Sequence, residues 1–171
     1  MPDPQTSAAP QILEQAMCLE IDSQGFYRQA AERTTDPSGR QMFLDLAAEE
    51  ATHQQFIQRQ LDSLRNSGQW EADERFQGAT CDLSQSLFPQ GAAREKATGE
   101  RANELEALWF ALEKESESYE LYRQGALQAE DDTAKALYQF LMSAERQHFE
   151  TLMTMHEDII RKQYRPHQNG N

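Results

Sequence analysis

Cysteine is scarce in this chain of 171 residues: Cys18 and Cys81 are the only two, and they form no Cys-x-x-Cys pair. That spacing argues against a thiolate zinc site and against a disulfide framework, leaving room for one bridge at most. Basic residues are also few, 16 Lys and Arg against 29 Asp and Glu, for a formal charge of −13. Nucleic acids and anionic membranes need clustered Lys and Arg, so neither is an expected partner, whereas metal cations are attracted. Long apolar runs are missing too. Leu108-Trp109-Phe110-Ala111-Leu112, preceded by Ala107, is the longest, far below the roughly 20 residues of a bilayer span. The opening residues Met1-Pro2-Asp3-Pro4-Gln5 lack the basic and apolar regions of a secretory signal, which makes the cytoplasm the expected location. Finally, no stretch alternates β-branched or aromatic residues with polar ones at period 2, so no strand is predicted.

Helix formers fill the space between two Pro-containing ends, and the expected class is all-α. A chain of this length predicts a single domain over 1–171. A bundle should occupy about 10–163, with tails at 1–9 and 164–171. Four long helices are expected: about 10–34, about 37–66 with Asp36 as N-cap and Pro37 at the first helical position, about 97–129, and a last one capped by Asp131 and Asp132 and ending near 163. Gly25 and Gly125 fall inside the first and third helices, at a cost of about 1 kcal/mol each relative to Ala, and put their regularity there in question. Residues 67–96 have no helical period but carry Trp70, Phe76, Leu83 and Phe88. They predict a long crossover packed on the bundle, which lets the third helix start back at the far end. Apolar surface around Trp70 and Phe76 suggests a homodimer or a higher homo-oligomer.

Displacing the sequence by 95 residues pairs Glu20, Tyr27, Arg28, Gln29, Asp36, Leu46, Glu50 and His53 with Glu115, Tyr122, Arg123, Gln124, Asp131, Leu141, Glu145 and His148, without a gap. The chain reads as a doubled helical hairpin. On each helix these residues fall on the apolar face set by the i, i+3, i+4, i+7 spacing. In the second helix that face is Phe43, Leu46, Ala47, Glu50, His53, Ile57 and Leu61, and in the fourth Leu137, Leu141, Glu145, His148, Leu152, Met155 and Ile159. A glutamate interrupts every stripe. Glu14, Glu32, Glu104, Glu106 and Glu130 lie on other faces and are expected to be solvated, as are His156 and His167. Glu20 and Glu50 both lie about 15 residues from the first turn, roughly 22 Å at 1.5 Å per residue, so they should meet opposite one another. Glu115 and Glu145 stand at nearly the same height in the second hairpin.

Four carboxylates in an apolar interior cannot all remain ionised without company, because burial penalises charge and like charges raise each other's pKa. Two divalent cations balance them in charge, and two neutral imidazoles complete the coordination. Glu50-x-x-His53 and Glu145-x-x-His148 place each pair on one side of its helix, so each can hold one ion while a carboxylate bridges to the other. Such donors favour iron, manganese or zinc over calcium or magnesium, and open positions favour redox-active iron. One Glu-x-x-His is weak evidence, since 19 glutamates in 171 residues put Glu three places before any His about once in nine. Two such pairs, each preceded by Glu 30 residues earlier, arise by chance about once in a thousand such sequences. A pH-sensing acid cluster and a metal-free packing module remain the competing readings.

These residues give the chain a resemblance to the ferritin-like superfamily and, within it, to the rubrerythrin family of diiron-carboxylate bundles. The general ligand pattern of such bundles is one Glu from each of two helices plus Glu-x-x-His from each of the other two. Glu20-x6-Tyr27, Glu50-x-x-His53, Glu115-x6-Tyr122 and Glu145-x-x-His148 carry the likeness over about 10–163. It implies a ferritin-like four-helix bundle with Glu20, Glu50, His53, Glu115, Glu145 and His148 holding two iron ions, with manganese or zinc as substitutes. The activity it implies is oxidation of Fe(II), or reduction of O2 or hydrogen peroxide, as a ferroxidase- or peroxidase-type oxidoreductase with an external electron donor. A non-catalytic module that stores iron, manganese or zinc is the alternative. Tyr27 and Tyr122 resemble the family's tyrosines near the metals, either hydrogen-bonded to the ligands or simply aromatic core. Two features depart from the family. Peroxidase rubrerythrins usually carry a carboxylate three residues after the third-helix ligand, where this chain has Ser118, mirrored by Ser23. Full-length rubrerythrins also append a rubredoxin domain with paired Cys-x-x-Cys motifs, which this sequence does not contain.

Overall fold

The computed structural model describes residues 8–79, 83–84 and 102–163. It contains four long helices, α1 (Ala8–Arg33), α2 (Pro37–Ser67), α3 (Ala102–Gln128) and α4 (Asp132–Gln163), and a 3-10 turn at Glu74–Phe76, with no strand among the described residues. Two helical hairpins, α1 with α2 and α3 with α4, form an all-α bundle.

Local chemistry sets the hairpin turns where the sequence placed them. The Asp36 carboxylate accepts the Gly39 N–H at 2.8 Å, with Pro37 in the first helical turn. Asp131 accepts from Thr133 and Ala134 at 2.8 and 3.0 Å. Each cap satisfies backbone donors that the first turn leaves without a partner. Gly68 closes α2 in the left-handed conformation, φ 70°, and its N–H reaches the Leu64 carbonyl.

Side-chain pairs give the helix directions. Tyr27 meets Glu115 and Tyr122 meets Glu20, so α1 and α3 run antiparallel; Glu49 and His53 of α2 face His148 and Glu145 of α4 in the same sense. It follows that α2 and α3 run parallel, and the link between them must travel the length of the bundle.

The start of that link is pinned to α2. The buried Gln60 amide donates to the Glu71 carbonyl at 2.8 Å and accepts the Glu71 N–H at 2.9 Å, and Arg59 pairs with Asp73 at 3.0 Å. Phe76 is 2% exposed and packs against Phe56 and Phe140, while Trp70 is half-buried edge-on to Tyr138. Packing of this segment is as expected for Trp70, Phe76 and Leu83. The exposed apolar surface expected there is corrected at Phe76, whose ring is buried in the bundle's own core, while Trp70 is half-buried against it. Phe88, Cys81, His167 and residues 1–7 and 164–171 of the two tails lie outside the described residues, whereas Ala8 and Ala9, expected in the first tail, open α1.

Two apolar clusters stand at opposite ends. One includes Leu13, Phe56, Ile57, Tyr122, Leu137 and Leu141; the other includes Tyr27, Phe43, Leu46, Leu108, Leu112 and Leu152. Each buried Leu or Phe contributes roughly 1.5–3 kcal/mol, which is how the fold tolerates the polar layer between them. Both interior glycines lie in unbroken helices. Gly125 has a reason to be there, because a Cβ would come within 3.0 Å of the Tyr138 ring, whereas at Gly25 a Cβ would meet nothing within 4 Å.

Candidate metal centre

At mid-height all four helices turn a carboxylate inward. Glu20, Glu50, Glu115 and Glu145 are each 1% exposed, and His53 and His148 join them, also buried. The structure therefore brings together the six glutamates and histidines that the sequence placed on the inner faces. One donor atom from each of Glu20, Glu50, His53 and Glu145 lies within 4.8 Å of the others, and the same holds for Glu50, Glu115, Glu145 and His148. Glu50 and Glu145 belong to both groups, while Glu20 and Glu115 each belong to one. Both imidazoles point Nδ1 inward. His53 Nδ1 lies 3.2, 3.0 and 3.3 Å from oxygens of Glu20, Glu50 and Glu145. His148 Nδ1 lies 3.2, 3.4 and 3.7 Å from oxygens of Glu50, Glu115 and Glu145. The rings are nearly parallel, with centroids 5.5 Å apart.

Burial and mutual repulsion shape the electrostatics. Burial, reinforced by Glu50, pushes Glu20 up to about 7. Glu145 is raised well above the usual carboxylate range by burial and by Glu50, Glu20 and Glu115. Burial would raise Glu50 and Glu115 as well, but hydrogen bonds outweigh it and hold both below the usual value; His148 and His53 supply them at Glu50, Glu145 and His148 at Glu115. Burial works against both imidazolium ions, yet Glu20 and Glu50 push His53 up to about 10, and Glu115, Glu49 and Glu50 raise His148. Protons on two imidazoles and on part of the carboxylates thus offset the acid charge in the metal-free protein. They do so imperfectly: Glu50 Oε1, Glu115 Oε2, Glu145 Oε1 and His148 Nδ1 are buried without a well-formed hydrogen bond.

The two tyrosines are both core and hydrogen-bond donors. Tyr27 stacks on Phe43 and Tyr122 on Tyr138, while the Tyr27 hydroxyl donates to Glu115 Oε1 and the Tyr122 hydroxyl to Glu20 Oε1. Each reaches across to the opposite hairpin, and each holds the carboxylate found in only one of the two groups. Ser23 and Ser118 are also buried, 4% and 3% exposed. Glu14, Glu32, Glu106 and Glu130 are exposed as expected, and Glu104 is half-buried; His156, expected at the surface, is half-buried beside Trp109.

One participant escaped the sequence reading. Glu49 of α2 accepts from His148 Nε2 at 2.8 Å, and that contact holds its carboxyl below the usual range. Its side chain is 58% exposed and, with Gln41, Asp45, Gln147 and His148 among others, lines a groove of about 440 Å3. Glu49 immediately precedes buried Glu50, and adjacent helical residues do not share a face, so no periodicity marked it.

Oxygen-rich donors, two inward imidazole nitrogens and buried lone pairs without partners suit two divalent cations of the iron, manganese or zinc type. Comparison with known proteins agrees at the level of family and fold. A solved chain described as a hypothetical protein from Pyrococcus furiosus shares the fold, with a TM-score of 0.68 at 19% identity over 90% of this chain and 91% of that one. No curated protein matches. In a scan of protein families, residues 11–156 match Rubrerythrin. That match takes in all four helices and every residue of the buried cluster, and the chain belongs to the rubrerythrin family.

Proposed function

We propose that the chain is a dinuclear iron protein that oxidises Fe(II) with O2 or hydrogen peroxide. Glu20, Glu50, His53 and Glu145 would hold one ion and Glu50, Glu115, Glu145 and His148 the other, with Glu50 and Glu145 common to both groups. The observation that carries this reading is the pair of overlapping four-residue groups, each with one imidazole and sharing two carboxylates. When bound, a pair of irons supplies two electrons side by side, so that one oxidant receives both within a shielded site.

The protein's own residues do the rest. Helix positions fix the six donors, and Tyr27 and Tyr122 orient the terminal carboxylates Glu115 and Glu20 through their hydroxyls. The apolar clusters above and below keep bulk water from the layer. Loading requires the imidazoles to give up their inward protons, because only a free Nδ1 lone pair can bind an ion.

Anaerobic Fe(II) titration followed by admission of air tests the proposal. About two irons oxidised per chain are expected for a site of this pattern; a stoichiometry near zero rejects it. Iron that binds in that ratio but does not react with air or peroxide would instead indicate a storage module.

A further inference from the structure

The internal repeat makes the two hairpins look interchangeable, but the surroundings of their histidines differ. His148 has its inward Nδ1 among Glu50, Glu115 and Glu145 and its outward Nε2 on the Glu49 carboxylate at 2.8 Å. Displacing Glu49 by 95 residues lands on Ala144, next to Glu145 on α4. The helix position that would offer a carboxylate to His53 therefore carries only a methyl group.

A carboxylate on the outer nitrogen of a metal-binding imidazole keeps the proton on that nitrogen. The inner lone pair is then free, the ring is held in orientation, and its donor strength rises. Glu49 can do all three for His148. It stands on α2 while His148 stands on α4, so it also ties the ring to the neighbouring helix.

Building on the dinuclear reading above, we infer that Glu49 is a positioning residue that makes the two halves of the centre unequal. The half containing His148 takes up the first divalent ion and the half containing His53 the second. The symmetry of the repeat is broken at one pair of positions, Glu49 and Ala144, and the order of loading follows from that difference.

The test uses the full chain, stripped of metal and titrated anaerobically with Co(II), with heat and the visible Co(II) spectrum followed together. Outer partners of metal-binding histidines typically change affinity by about 10–100-fold, so the wild type should bind two ions in two resolved steps. Glu49→Ala should weaken the first step by about tenfold or more and merge the two. Ala144→Glu should tighten the second step and bring it toward the first. In the zinc-loaded protein, where an imidazole bound through Nδ1 carries its proton on Nε2, 15N-edited spectra should show a slowly exchanging His148 Nε2–H, and that slow exchange should be lost in Glu49→Ala. A role confined to packing would alter melting temperature without speeding exchange of that proton. Two ions bound in a single step in the wild type, or constants unchanged in Glu49→Ala, overturn the inequality and leave the dinuclear centre standing. A wild-type chain that binds no Co(II), Fe(II) or Zn(II) overturns both.

Discussion

Glu50 and Glu145 are common to both donor groups, whereas Glu20 and Glu115 each serve one. Glu50→Ala or Glu145→Ala should therefore bring metal content from about two ions per chain to near zero, while Glu20→Ala or Glu115→Ala should leave about one, for a site of this pattern. Elemental analysis of protein purified without chelator checks this, and equal losses in all four variants would contradict the sharing. The tyrosines offer a second measurement. Tyr27→Phe and Tyr122→Phe each remove a hydroxyl from a buried carboxylate, a loss of about 1–3 kcal/mol for a hydrogen bond to a charged group. Urea denaturation of the metal-free protein measures each cost. All six inward donors were legible in the sequence because the repeat printed them twice at helical spacing. Glu49 was not, since its repeat partner is Ala144 and the comparison that exposed the others erased it.

Among the elements, the two interior glycines should behave oppositely. Gly25→Ala adds a methyl group where nothing lies within 4 Å, and helix propensity predicts a gain of about 1 kcal/mol. Gly125→Ala pushes a methyl group against the Tyr138 ring at 3.0 Å, so crowding should cancel the gain or reverse it. Chemical denaturation of both variants separates the cases. The hairpin turns were readable because Asp36-Pro37 and Asp131 act through local chemistry that needs no tertiary partner. The start of the crossover was readable only in part. Its aromatic residues promised packing, but with no period to orient them, Phe76 passed for surface although it sits against Phe56 and Phe140. Nothing in the sequence around Gln60 announced that its amide would bind both backbone groups of Glu71.

Across the whole molecule, pH should act in opposite directions on the metal-free and metal-loaded forms. Glu20 is raised from 4.5 to about 7 and His53 from 6.5 to about 10, so between each pair of values the folded chain holds more protons than the unfolded one. Stability then falls as pH rises through those windows. Glu50 and Glu115, held below their ordinary values, contribute stability that is lost in stronger acid. Metal-free protein should therefore melt highest near about pH 5 and progressively lower toward pH 9. In the loaded protein, ions replace those protons, and melting temperature should climb from about pH 5 to 7.5 as proton competition fades. Thermal melts with chelator and with Zn(II) would show whether the slopes have opposite sign.

Neither donor group is contained in one hairpin. The first borrows Glu145 from the second half of the chain, and the second borrows Glu50 from the first. Each ion would accordingly act as a rivet between halves that the backbone joins only through the segment between α2 and α3. Nicking the chain between α2 and α3 would then yield two fragments whose grip on one another tightens with added metal and slackens with chelator, much as two hands interlock only when both are closed on the same object.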